Sequence, residues 1–165
     1  MKTATAAALA ALGLALAAPA AAAPPRAGVL VPGRSLGGVA LRSPVNAVLR
    51  AWGRSFGICR GCARPTWYFN FDAFQPQGAA VEFRDARVAA VFTLWSPPGW
   101  RTSRGIAIGA PVTEVTTAYG PLDRTDCRGY YALVLPQGSA VTTIYVVGDA
   151  VWGFGLSLPG IPACR

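Results

Sequence analysis

The sequence predicts an α+β fold, namely two tandem helix-plus-three-stranded antiparallel meander repeats sharing one core. Three observations carry that class. A sixteen-residue segment returns 67 positions later (105 − 38), each copy bears one apolar helical stripe, and each is followed by three apolar runs separated by turn residues.

The elements follow in order. Met1-Lys2-Thr3 supplies one positive charge before an Ala/Leu run from Ala4 to Ala18, too short to span a bilayer, and Ala20-Ala21-Ala22 offers a small-residue cleavage site. Residues 1–22 therefore read as a signal peptide, and residues 23–35, with Pro24, Pro25, Pro32 and Gly33, as an extended N-terminal segment. Repeat 1 spans 36–95, a linker 96–102, repeat 2 spans 103–158, and 159–165 form a C-terminal tail. After cleavage, 143 residues (165 − 22) are enough for one core and hold no apolar stretch long enough to cross a membrane.

Segment 38–53 matches segment 105–120 at seven of sixteen positions. Pro44 and Pro111 suit the first helical position, Ser43 can cap the first helix, and Gly53 and Gly120 stop the two helices. Val45, Val48, Leu49 and Trp52 fall at i, i+3, i+4 and i+7, and Val112, Val115 and Tyr119 repeat the stripe. Strands are predicted over 67–71, 79–83 and 88–95, then over 130–135, 141–147 and 151–158. A unit of this size buries too little alone, so the copies must share a core.

Composition excludes most catalytic machinery. The chain has no His and its one lysine, Lys2, leaves with the signal peptide, so Ser-His-Asp, Cys-His and Ser-Lys chemistry are absent, as are His-ligated metals. The seven carboxylates, Asp72, Glu82, Asp85, Glu114, Asp123, Asp126 and Asp149, fall mostly at turns or on exposed strand faces. No catalytic residue, metal site or cofactor is expected. The mature charge is about +7 (14 Arg − 7 carboxylates), which suits contact with anionic envelope polymer, although Arg50 and Arg54 simply complement the end of the first helix. No dedicated nucleic-acid site is expected.

Four cysteines, Cys59, Cys62, Cys127 and Cys164, allow three pairings. In an exported protein they are expected to be oxidised, with a Cys59–Cys62 loop leaving Cys127–Cys164 to tie the tail to the loop after the second helix. The alternative use of Cys59-Arg-Gly-Cys62, flanked by Arg60 and Arg64, is a low-pKa dithiol of a thiol-disulfide oxidoreductase. It lacks a helix starting at Cys62 and a thioredoxin strand pattern.

Trp67, Phe69, Phe71 and Phe83 alternate as core residues. Trp95, Trp100, Tyr131, Tyr145 and Trp152 cannot all lie under two short helices. With Arg101 and Arg104 they form the expected partner-binding set, on a sheet face left open opposite the helices.

The pattern Gly109, Val115, Tyr119-Gly120-Pro121, echoed by Val48 and Trp52-Gly53 with Arg42 in place of the first glycine, resembles the Gly-x5-Val-x4-Gly helix motif of BamE/SmpA/OmlA-type outer-membrane lipoproteins. Two such units in one secreted chain are similar in plan to the β-lactamase-inhibitor proteins, a resemblance that covers 36–158 and implies a protein-binding module. The chain lacks the lipoproteins' lipidation cysteine. The expectation is thus an exported, non-enzymatic module holding a protein partner of the envelope or extracellular space.

Overall fold

Runs of Val, Ala, Phe and Tyr draw about half of the described residues into strands. The computed structural model describes residues 25, 27–70, 78–94 and 99–165. The predicted signal peptide, Phe71, Asp72, Trp95 and residues 96–98 of the linker lie outside them. In chain order the elements are β1 (Gly28–Val31), β2 (Ser35–Leu36), β3 (Val39–Ala40), α1 (Val45–Trp52), β4 (Gly57–Cys59), β5 (Thr66–Asn70) and β6 (Gly78–Arg84). They continue with β7 (Arg87–Leu94), β8 (Trp100–Thr102), α2 (Val112–Tyr119), β9 (Asp123–Asp126), β10 (Tyr131–Gln137), β11 (Ala140–Val147) and β12 (Ala150–Ser157).

The strands form two sheets. An eight-stranded antiparallel sheet runs β4-β5-β6-β7-β12-β11-β10-β9, and a four-stranded mixed sheet runs β3-β2-β1-β8. The fold class predicted from sequence is corrected accordingly. Strand takes 49% and helix 12% of the described residues, so the fold is mainly β rather than α+β, and it is not two helix-plus-three-stranded-meander repeats. The reason lies in segments without strong local patterns. Residues 28–31, predicted to be extended leader, pair in parallel with Trp100–Thr102, predicted to be linker, through Gly28–Trp100, Val29–Arg101 and Leu30–Thr102. The loops after the helices add edge strands β4 and β9.

Both helices are eight residues long and end at glycines in the left-handed region, Gly53 (φ 81°) and Gly120 (φ 76°), whose N–H groups donate to Leu49 and Thr116 carbonyls. Pro44 and Pro111 occupy the cap positions rather than the first helical ones, and Ser43 makes no side-chain cap. Backbone bonds dock each helix entrance onto a hairpin: Arg42 N–H donates to Val88 O, and Gly109 N–H to Val151 O, at 2.8 Å each.

One face of the large sheet, here the inner face, carries the main core. The helices and the small sheet pack on it through Val48, Trp52, Val115, Leu36 and Trp100, meeting Phe69, Val91, Ile144 and Phe154. Trp52 is central: its ring lies edge-on to Phe69 at 5.2 Å and to Trp100 at 6.1 Å, and its Nε1–H donates to Gly37 O at 2.8 Å. Gly37 (φ 56°) is confined to glycine here, because a Cβ would stand 2.8 Å from the Trp100 ring.

Candidate functional site

The outer face of the large sheet is built differently. Its buried cluster is small, with Ala80, Phe92, Ala132 and Tyr145, flanked by half-buried Tyr68, Leu94, Val134, Tyr130 and Trp152. Among the described residues, no helix or second sheet contributes to this cluster. What crosses it is the C-terminal tail, through Ala163 here and through Ile161 against Ala89 and Ala90.

Local sequence explains how the tail is held. Cys127, just after β9, is bonded to Cys164, and Cys59, at the end of β4, to Cys62. These are one of the three pairings the sequence allows. Arg165 is clamped by its backbone: its N–H donates to Tyr130 Oη at 2.6 Å, and the Tyr130 hydroxyl donates to its carbonyl at 2.7 Å. The Tyr130 ring in turn stands edge-on to Tyr145 and tilted against Trp152. Gly155 makes room for Tyr145, since a Cβ there would sit 2.6 Å from the phenol oxygen.

Between the Cys59–Cys62 loop and this tail lies a cavity of about 400 Å³, lined by Arg64, Tyr68, Glu82, Phe92, Leu94 and Arg165 and flanked by Cys62 and Cys164. Glu82 is its electrostatic centre. Arg64 Nε donates to Glu82 Oε2 at 2.6 Å, and Arg165 Nη1 stands 3.6 Å from Oε1. The Arg165 guanidinium also lies over the Phe92 ring, 5.0 Å from its centre. Burial raises the Tyr68 hydroxyl pKa above its usual value, Glu82 adds to the rise, and Arg165 opposes it. Burial likewise pushes Tyr145 up to about 12 against the lowering pull of Arg165.

The residues singled out from sequence are dispersed. Trp100 and Tyr145, expected to be exposed, are fully buried and are corrected: Trp100 belongs to the inner core, and Tyr145 lies under the tail on the outer face. Tyr131 is half-buried against the inner core with Arg124 over its ring, one residue out of phase with outer-face Ala132. Trp152 alone of the set is half-buried on the outer face, and Trp95 lies outside the described residues. Arg101 is exposed on β8; Arg104 is engaged, with its guanidinium over Tyr119 and a hydrogen bond to Ala118 O. No group of three or more potential metal ligands occurs among the described residues.

Glu82, Phe92, Tyr68 and Arg165 were not anticipated. Glu82 had a signal: a carboxylate inside Ala79-Ala-Val-Glu-Phe83 cannot stay ionised in a buried strand without a cationic partner. Its placement among solvated carboxylates is corrected, as its residue is only 8% exposed.

No family model and no curated protein matches the chain. Among solved structures, the chain is similar in fold to an extracellular protein containing a SCP domain from Bacillus anthracis str. Ames, solved at 1.5 Å resolution, with a TM-score of 0.50 and 10% identity. The match covers 72% of this chain and 44% of that one, so this chain spans less than half of that protein. At this identity the likeness shows the fold alone. It also overturns the resemblance to BamE/SmpA/OmlA-type lipoproteins and β-lactamase-inhibitor proteins. The motif behind that resemblance has local causes here: Gly109 and Gly120 adopt φ of 85° and 76°, Val115 is a core residue, and Arg42 takes the same left-handed conformation (φ 62°).

Proposed function

We propose that the chain is a secreted, non-enzymatic binding module that holds a protein partner on the outer face of its eight-stranded sheet. The observation that carries this is the difference in cover among the described residues: the inner face is sealed by two helices and a sheet, whereas the outer face bears half-buried Tyr68, Leu94, Val134 and Trp152 beside the crossing C-terminal tail. Aromatic side chains with an apolar body and a polar edge, set around a desolvated centre, are what protein interfaces use as anchors. Two disulfides suit an oxidising compartment, and no described helix is long and apolar enough to cross a membrane.

The test compares capture of extracellular and envelope proteins by the wild type, by Trp152→Glu and Leu94→Glu on the outer face, and by Thr117→Glu on the exposed side of α2. The outer-face variants should lose the partner that Thr117→Glu retains, with melting temperatures showing that all remain folded. Equal capture by all of them, or loss only in Thr117→Glu, contradicts the proposal.

A further inference from the structure

We infer that β4, one edge of the eight-stranded sheet, docks a second copy of this chain in antiparallel register about Ile58, so that two sheets join into one. The inference is separate from the protein-partner reading of the outer face and does not depend on it.

Its first support is the contrast between the two edges of the sheet. The far edge, β9, is Asp123-Arg-Thr-Asp126, with all four residues exposed and Arg124 ion-paired to Asp126 at 2.7 Å. Charged side chains on an edge strand discourage another chain from pairing with it. β4 is Gly57-Ile-Cys59, pairs with β5 on one side, and carries neither charge nor proline. Ile58 at its centre is 62% exposed, against 43% for Val147, the other large apolar side chain exposed among the described residues. An uncharged, β-branched residue on an unpaired edge is the composition that accepts a further strand.

Its second support is what surrounds Ile58, which selects the occupant. Ile58 lies opposite Trp67 on β5, and Phe56, two residues earlier, stacks on Trp67 at 3.9 Å. Arg60, two residues later, is exposed and makes no ion pair among the described residues. In antiparallel pairing centred on Ile58, Gly57 faces Cys59 of the second copy, Ile58 faces Ile58, and Phe56 faces Arg60. The strand is thus self-complementary. Each copy sets a cation against the other's aromatic ring, on either side of a central apolar pair, as a twofold contact requires.

The Cys59–Cys62 bond ties the end of β4, which lowers the cost of ordering it on association. Three residues per strand give a contact well below the roughly 1,200 Å² of stable interfaces, so the dimer is weak and depends on concentration.

The test is sedimentation of the intact, oxidised protein from about 10 µM to 1 mM, with a monomer–dimer equilibrium expected near a dissociation constant of about 0.1 mM. Ile58→Lys should weaken dimerisation at least about tenfold, as a like-charge pair replaces the central apolar one. Val147→Lys, which adds the same charge at the other exposed apolar site, should dimerise as the wild type does. In an equal mixture of isotope-labelled and unlabelled copies, intermolecular NOEs should join Phe56 to Arg60 and Ile58 to Ile58. The inference is overturned by a protein that stays monomeric up to about 1 mM, by Val147→Lys weakening the dimer as much as Ile58→Lys, or by intermolecular NOEs that lie outside β4 and its flanking residues.

Discussion

The two faces of the eight-stranded sheet are made from the same strands and covered in opposite ways. On the inner face, eight-residue helices and a four-stranded sheet contribute Trp52, Trp100, Val48, Val115 and Leu36 to one continuous apolar core. On the outer face a short tail is held by one disulfide, one tyrosine clamp and Arg165, beside a cavity containing an ion-paired carboxylate. The difference teaches where stability and function separate. The inner face needs only volume and apolarity, whereas the outer face retains charged groups that a core would exclude.

If this division is right, substitutions should rank by face. Trp100→Ala empties the centre of the inner core and should cost about 3–5 kcal/mol in denaturant unfolding. Trp152→Ala, half-buried on the outer face, should cost far less. A smaller loss for Trp100→Ala than for Trp152→Ala would break the comparison.

Next in size is the staple of the outer face. Replacing Cys127 and Cys164 together by Ser reopens a loop of 37 residues and should cost about 3–4 kcal/mol, with a red shift of Trp152 fluorescence as the tail lifts. The Cys59–Cys62 pair spans only 3 residues, and its removal should cost less than half as much.

Alkali should act on the outer face through Tyr145. Its folded pKa of about 12 lies above the ordinary value of 10.0, so the folded protein keeps a proton that the unfolded chain releases. Stability from this group is fully present below pH 10 and falls as pH rises from there through 12, by on the order of 2 kcal/mol. Tyr145→Phe should flatten the melting temperature over that interval, whereas an unchanged slope would remove Tyr145 as the cause.

The smallest effect belongs to the β6–β7 hairpin tip, where Asp85 (φ 51°) and Ala86 (φ 56°) both adopt the left-handed conformation. Ala86→Gly should raise stability by about 0.5–1 kcal/mol, measured by thermal unfolding, since only glycine takes this conformation freely. No gain would mean that the unfolded-state entropy of glycine offsets the relieved strain.

The inner face was largely legible in the sequence. The Val48–Trp52 spacing, the stopping glycines and six apolar runs place the two helices and β5, β6, β7, β10, β11 and β12 to within a few residues. The overall class was not legible, because the parallel pairing of Gly28–Leu30 with Trp100–Thr102 joins segments with no periodic pattern of their own. The outer face was obscured by the strands themselves: Ala79, Ala80 and Val81 are all buried, so alternation does not say which face a residue takes. Arg165 and Glu82 lie 83 positions apart (165 − 82), and only the completed sheet and the Cys127–Cys164 bond bring them together.

The central claim, that the thinly covered outer face is the working surface, is tested most directly by hydroxyl-radical footprinting of the free protein and of its complex with the captured partner. Tyr68, Leu94 and Trp152 should be labelled when free and protected in the complex, while Val112 and Tyr119 of α2 keep their labelling. Protection confined to the helix side, with Tyr68, Leu94 and Trp152 unchanged, would contradict it.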